Sequence, residues 1–543
     1  MSIFGKIKGA FGGGHGAAPQ RVAGPAVQRS GYMRGGGGVL FGRWRPALRE
    51  PQHAVSDAWD AATSRAMDAI LNSGWLSGAI EQSIANTVGR GLRLKVQPEN
   101  ALFGMAEADA RAWGRMVEQR FEIWSRAPQE CDIEGVRTFG QMQAAAYRSF
   151  LATGEVLAEL PWRRRPWGQN GTKVRLLPAH RLARASSSAD RIVNGVKLDR
   201  DGMPVGYLVS ANPHFGGLHR DRLVRARDSA GRPRVIHIFD GPPGTYRGIT
   251  PLAPILQVTR QFDQLADATL TATILQTLFA ATIESDLPTE EAMAGILTPQ
   301  EQARLASQGV SAAEAYMQMV GGFYEEAPVD LGANGRIGHL FPGQELKFQT
   351  AQGSATDYVG FSRQLLREIA RCLGMTYEGA TGDYTGATYS STRMATGEIF
   401  EVTQMRRAHV VAPFCQAAYA AWLEEEIEAE RIPFPGGINA FLANRTAASR
   451  ADWRGSPKLQ ADDVKTARAH EVWRRLGVVS DAMIAADLGV DIEDVFVERK
   501  AERELREAYG LPEPAQMGEF GGGPQGGARD GEETEDERRD DRD

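Results

Sequence analysis

Cysteine is scarce in this sequence. Cys131, Cys372 and Cys415 are the only three in 543 residues. An odd number without C-x-x-C spacing excludes a disulfide framework and a zinc finger, and it fits a reducing compartment. Long hydrophobic runs are missing too. The longest uncharged apolar-rich stretch, Ala268 to Ile283, has 16 residues with five threonines and Gln276. A membrane span needs ~20 predominantly apolar residues, so this stretch reads as a buried helix and no membrane partner is expected. Gly12-Gly-Gly-His-Gly16 stands where a signal peptide would need an apolar core. The nine histidines are scattered, with no i, i+4 pair, no H-E-x-x-H and no G-x-S-x-G. Neither a metal, nor a cofactor, nor a catalytic residue is called for.

What is present is a globular composition, 42% hydrophobic and 24% charged, long enough for three or four domains. The net charge of −6 is unevenly spread. Residues 1–50 carry eight Lys/Arg against Glu50, while residues 529–543 carry nine acids against four arginines. A basic arm, an acidic body and an acidic tail are not the pattern of a high-affinity DNA binder, whose body would be basic. The Gly-rich residues 1–44 read as a disordered arm and residues 513–543 as a disordered tail.

Between them the pattern is α+β and mainly helical. Residues 52–84 read as helix. Leu92, Leu94 and Val96 alternate with Arg93, Lys95 and Gln97 as in a strand. Residues 105–126 place Trp113, Met116, Val117, Phe121 and Trp124 at helical spacing. A helix over 138–152 ends at Gly154. Strand signals follow at 155–160, 173–177 and 235–239, with a hairpin around Asp199-Arg-Asp-Gly202. A helix is expected over 251–283, starting at Pro251. Another is expected over 297–320, opened by Thr298-Pro-Gln-Glu301 as a capping box. Residues 326–350 read as strand and turn. The 354–373 helix shows a stripe of Tyr358, Phe361, Leu365, Ile369 and Cys372, with Gly374 as C-cap. A Gly/Thr/Tyr segment precedes a helix over 389–430, kinked at Pro413; residues 460–509 form a small helical unit.

Candidate chemistry is sparse. Gly241-Pro-Pro-Gly-Thr-Tyr-Arg-Gly248 has the outline of a phosphate loop. Tyr246, Arg247 and Gly248 stand where a glycine, the phosphate-binding lysine and the magnesium-binding hydroxyl are required, so it reads as a turn. Asp199-Arg-Asp-Gly202 opens like a calcium loop, but Ser210 occupies the twelfth position in place of glutamate. His237 reads as a satisfied histidine on a half-buried strand. Trp162-Arg-Arg-Arg-Pro-Trp167 suits either a solvated hairpin tip or a stacking contact to nucleic acid. The arginines from Arg220 to Arg234 read as a solvated or subunit-contact face. Glu424-Glu-Glu-Ile-Glu-Ala-Glu430 opposes the dipole of its helix and reads as a solvated end, a partner site or a channel wall.

Ordered motifs carry a resemblance over residues 40–512. They are Val88-Gly-Arg-Gly-Leu-Arg-Leu-Lys-Val-Gln-Pro98, Gly154-Glu-Val-Leu-Ala-Glu159, Asp201-Gly-Met-Pro-Val-Gly-Tyr207, Arg247-Gly-Ile-Thr-Pro-Leu252, Thr388-Tyr-Ser-Ser-Thr-Arg393 and Gly489-Val-Asp491. Together the chain resembles the lambda-type portal proteins, the head–tail connectors of tailed bacteriophages. The resemblance implies a self-assembled ring, usually a 12-mer, at one vertex of the virion capsid. It further implies assembly in the host cytoplasm and passage of double-stranded DNA through the ring in packaging and ejection. It also implies partners: the terminase large subunit, major capsid and scaffold proteins, and head–tail adaptors. On the same resemblance the ring itself is expected not to be an enzyme. The implied regions are a wing over 45–296, stem helices over 297–320 and 353–376, and a clip over 321–352. A tunnel loop over 377–392, a tunnel helix over 393–432 and a C-terminal wing or crown over 433–512 complete the map. Asp383, Tyr384, Thr385, Thr388, Tyr389, Ser390, Ser391 and Arg393 are the implied DNA-channel residues, with Gly379, Gly382 and Gly386 letting the loop move. Their mostly neutral character suits a channel, since each cationic phosphate contact would add grip. Another virion adaptor or structural protein, or a nucleotide-driven DNA motor, is the competing expectation.

Overall fold

The computed structural model describes residues 47–210, 221–278, 282–285, 298–307, 344–347, 354–457 and 463–511, and the single positions 309, 314, 318 and 322. The expected arm and tail, and most of 308–343, lie outside the described residues.

The first helical block is two helices, Pro51–Asn72 and Gly74–Thr87, not one. Ser73 between them is extended, at φ −94° and ψ 112°. Serine and glycine are weak helix-interior residues, which is why the block divides there. The strand Arg93–Val96 pairs antiparallel with Ala451–Arg454, so the start and end of the body share a ribbon.

The core forms around the helix Ala412–Glu428. From Ala412 to Leu423 it is apolar but for Gln416, and it buries Phe414, Cys415, Ala418, Tyr419 and Trp422, among others, as a helix packed on most of its sides must. The 107–126 helix supplies Phe121. Its ring lies within 6 Å, centre to centre, of Trp124, Phe139, Tyr419, Trp422 and Trp453. Tilted and edge-on aromatic contacts of this kind bury large area with directional preference. Helix Phe139–Thr153 ends on Gly154 in the left-handed conformation, as its sequence predicts.

Two antiparallel sheets stand beside this core. Glu155–Glu159 is the central strand of three, flanked by Arg175–Leu177 and Val235–Phe239. The other sheet has four strands in sequence order, Ile192–Val193, Val196–Leu198, Pro204–Val209 and Arg222–Arg225. The turn before Pro204 is tied by Asp199, whose Oδ1 accepts from the N–H groups of Asp201 and Met203 at 2.9 and 2.8 Å. A hairpin turn is confirmed there.

The helix expected over 251–283 begins later and ends sooner. A 3-10 turn, Ala253–Ile255, precedes the α-helix Leu256–Leu278, and Thr282–Ser285 is a strand paired with Gln344–Lys347. Within the single chain the Ala268–Ile274 part is not buried: Leu270 and Ile274 are exposed. Thr269, Thr271 and Thr273 donate back to the carbonyls of Leu265, Asp267 and Thr269, so their hydroxyls need no core partner. The 256–278 helix packs against Ser354–Leu373. The stripe on the latter is only partly the expected one. Leu365 and Ile369 are buried with Leu366 and Leu373, whereas Phe361 is exposed.

Of the expected 297–320 helix, Pro299–Ser307 is described. Its capping box is half realised: Glu301 accepts from the Thr298 N–H at 3.0 Å and from its hydroxyl at 2.6 Å. The long helix is described as Tyr389–Arg406, a π-helical turn Arg407–Val411, and Ala412–Glu428. Pro413 has no N–H to donate one turn back, which accounts for the irregular turn before it. The C-terminal unit is helical, with Asp463–Arg475, Asp481–Asp487 and Ile492–Ala508.

Candidate functional site

The segment that the resemblance assigns to the channel is more ordered than a 377–392 loop. Tyr377–Thr381 is a short helix capped by Thr376, whose hydroxyl accepts from Gly379 N–H at 2.8 Å. Gly379 is therefore helical. The connecting loop is 382–388, and the long helix begins at Tyr389. Asp383 organises the loop. Its Oδ2 accepts from the Tyr377 hydroxyl at 3.0 Å and from Arg363 at 3.4 Å, and its Oδ1 accepts from Thr385 N–H at 3.0 Å. Hydrogen bonds from Thr385 and Tyr377, helped by the Arg363 charge, hold its carboxyl at about 2. Asp383 is thus a turn anchor rather than a bare lining charge. Tyr384, at 60% exposure, Thr385 and Thr388 face outward. Tyr389, Ser390, Ser391 and Arg393 lie in the first turn and a half of the long helix; their side chains are outside the described residues.

Below the loop, two adjacent arginines secure the long helix. Arg406 donates from Nη1 to Leu373 O and, at 3.2 Å, to the Tyr147 hydroxyl, and from Nη2 to Cys372 O at 3.4 Å. Arg407 donates to Thr87 O and Asn86 O, each at 2.7 Å, and to Ser456 O at 3.0 Å. Burial pushes Arg407 down from its ordinary value. Each guanidinium meets the carbonyl-rich end of a helix, where a cation is favoured. Glycines make room for this. A Cβ on Gly455 would stand 2.4 Å from Arg407 Cζ, and one on Gly374 2.6 Å from Val402 Cγ1.

The acidic cluster faces inward for half its length. Glu424, Glu425 and Glu426 are buried. Glu424 accepts from Arg445 at 2.6 Å. Glu425 accepts from the N–H groups of Gly171 and Thr172 at 2.6 Å each. Glu426 accepts from Asn170 at 2.6 Å, Arg120 at 2.9 Å and Arg431 at 2.9 Å. Burial raises Glu424 despite Arg445. For Glu426 burial is outweighed by Arg431, Asn170 and Arg120, and its carboxyl is held below the usual range. These three are internal struts; the expected solvated end is confined to Glu428 and Glu430.

The phosphate-loop outline is structural as well. Arg247 turns inward and donates from Nε to Glu155 Oε1 at 2.7 Å. Trp59 Nε1, Gly248 N–H and the His237 ring complete the set around the same carboxylate, at 3.1, 3.1 and 3.2 Å. Burial pushes Glu155 up, but His237 and Arg247 outweigh it, and the carboxyl is held low. His237 is satisfied, as expected. The arginines 163 and 164 between exposed Trp162 and Trp167 stay at the surface.

The model of the phage portal protein, lambda family, matches residues 38–407. The chain is 28% identical over 501 residues to the portal protein of Escherichia phage N15, across 90% of this chain and 92% of the relative. It is 29% identical over 498 residues to portal protein B of Escherichia phage lambda, with the same shares. Among solved structures it is similar to a chain in the neck of an empty GTA particle, at 16% identity and TM-score 0.41, covering 82% of this chain and 96% of that one.

Proposed function

The chain belongs to the lambda family of phage portal proteins, and from that premise we propose that it closes into a ring, twelve subunits in the family's usual form, at one capsid vertex. Double-stranded DNA passes through the ring during packaging and ejection. The terminase large subunit docks on it first and head–tail adaptors later, with capsid and scaffold proteins around its rim. Assembly takes place in the host cytoplasm. The chain's role is structural, and ATP hydrolysis belongs to the terminase motor.

The observation that carries the channel reading is the 383–388 loop. It exposes Tyr384 and Thr385, and its one carboxylate is tied down by Tyr377, Thr385 and Arg363. A braced loop without a cation, at the head of a long helix, touches a phosphate backbone without the counterion release that makes cationic surfaces grip. Tyr389, Ser390, Ser391 and Arg393 are assigned to the same lining. The packing of 256–278 against 354–373 favours these two as the stem helices, which moves the first stem helix from the expected 297–320 into the stretch expected to be wing. The paired strands 282–285 and 344–347 then form the base of a clip running between them.

Negative-stain electron microscopy of the purified chain tests this. Closed rings with a hole wide enough for duplex DNA are expected in views down the symmetry axis. Compact monomers across a range of salt and protein concentrations would overturn the reading.

A further inference from the structure

The C-terminal unit, residues 463–511, has almost no core of its own. Among its described residues Ala485 is the buried apolar side chain, and the 492–508 helix buries nothing. Helices of 13 and 17 residues are marginal in water without tertiary packing, and a unit of about 50 residues cannot stabilise itself on so little burial. It is tethered to the body by ion pairs: Lys95 to Asp491 at 2.8 Å, Arg115 to Glu493 at 3.5 Å and Arg454 to Asp491 at 3.7 Å. These fix its position and leave its apolar faces open.

Two of those faces match. Val464, Val472 and Leu476 form one stripe; Val497, Leu505 and Tyr509 form another. In each, the spacing is eight residues and then four. Each ends on the residue just past its helix, still bonded four residues back: Leu476 N–H to Val472 O at 3.0 Å, and Tyr509 N–H to Leu505 O at 3.1 Å. All six side chains are between 53% and 74% exposed, so the stripes do not cover one another within a chain. Their helices are opposite in charge. The 463–475 helix has four cations against two carboxylates, and the 492–508 helix has six carboxylates against four cations. Equal ridges of i, i+4 type interdigitate at a crossing angle of about −50°, and opposite net charge sets which ridge meets which.

We propose that the 464–476 stripe of one subunit packs on the 497–509 stripe of the next copy of this chain. Such a contact is heterologous, joining two different surfaces. Repeated head to tail, with a rotation that closes, it builds a ring rather than a two-fold dimer. The proposal rests on the ring reading given above and names one surface that would hold it.

The test is cross-linking of the full-length chain with a short flexible bismaleimide. Val472→Cys and Leu505→Cys are exposed, conservative changes; the unmodified chain controls for Cys131, Cys372 and Cys415. Electron microscopy first establishes that each sample forms rings. A chain carrying both changes is expected to give a ladder of covalent oligomers. Val472→Cys subunits co-assembled with Leu505→Cys subunits are expected to give dimers, and either variant alone none. Intact rings without a ladder, or a link confined within single chains, would overturn the interface and leave the ring standing. Absence of rings from every sample would overturn the ring reading and this contact with it.

Discussion

Arg406 and Arg407 are neighbours in sequence, yet their guanidinium groups close the C-terminal ends of two different helices. Arg406 takes the carbonyls of Cys372 and Leu373 at the end of the 354–373 helix. Arg407 takes those of Asn86 and Thr87 at the end of the 74–87 helix. They stand where the long helix passes into its π-turn. The irregular turn is therefore clamped from both sides. Arg407→Met would leave the buried Thr87 carbonyl unmatched, at a cost of about 3 kcal/mol. Urea unfolding reads it as a lower midpoint with an unchanged slope.

Gly455→Ala attacks the same clamp from outside. The new methyl would need space that Arg407 Cζ occupies, and overpacking of this kind costs about 1–3 kcal/mol. Combined with Arg407→Met, the loss should be well short of the sum of the two, since the residues share one contact. Additive losses in the same unfolding measurement would show that the contact is not what makes glycine necessary.

Glu155 is the carboxylate on which Trp59, Arg247 and His237 converge. Glu155→Gln leaves Arg247 buried beside a neutral group, a loss of about 3–5 kcal/mol. The pH dependence has a defined sign. Because the folded carboxyl is held below its ordinary value of 4.5, its contribution is complete above that value. It is lost as pH falls through the lower, folded one. Wild-type stability measured against pH should bend downward there, and Glu155→Gln should flatten the bend.

Asp383 gives a site-specific titration. Its carboxyl carbon, followed by NMR, should titrate near 2 rather than near 3.8. Tyr377→Phe should move it upward by removing one donor. If the loop is the channel lining, Asp383→Ala should leave ring formation intact and lower the amount of DNA packaged per particle.

Glu424 and Glu426 are two residues apart and shifted in opposite directions. Glu426→Gln should destabilise more than Glu424→Gln. Glu426 holds three partners, Arg120 and Asn170 from distant segments and Arg431 from its own turn, whereas burial already disfavours the charged form of Glu424. Equal losses on thermal unfolding would contradict this.

Local signals in the sequence were enough for the local features. Gly154 and Gly374 end their helices as their neighbours predict, the Asp199–Gly202 hairpin turns where it should, and the Trp113–Trp124 stripe is buried but for half-buried Met116. Ser73 splits a helix that periodicity alone makes continuous. The acidic run resisted reading because its partners Arg120, Asn170 and Gly171 lie some 250 to 300 residues away; nothing in its own neighbourhood distinguishes a strut from a solvated end. The 382–388 loop was legible as a loop, and the spacing of Asp383 and Thr385 is that of an Asx turn. Its braces, Tyr377 and Arg363, were not. The exposed Ala268–Ile274 stretch was misread for a different reason: threonines satisfied by their own helix look, in composition, like core.

The core helix 412–428 also sets a timetable for biosynthesis. The helices that supply Phe121, Trp124 and Phe139 are finished by Thr153, but their cover follows some 260 residues later, and the ribbon partner of Arg93–Val96 is complete only at Arg454. At ribosomal speeds those 300 residues from Thr153 to Arg454 take ~15–60 s, during which Phe121, Trp124 and Phe139 have no lid. A nascent chain therefore needs shelter through most of its synthesis. In return, a chain ending before residue 412 lacks the core helix and cannot complete the body.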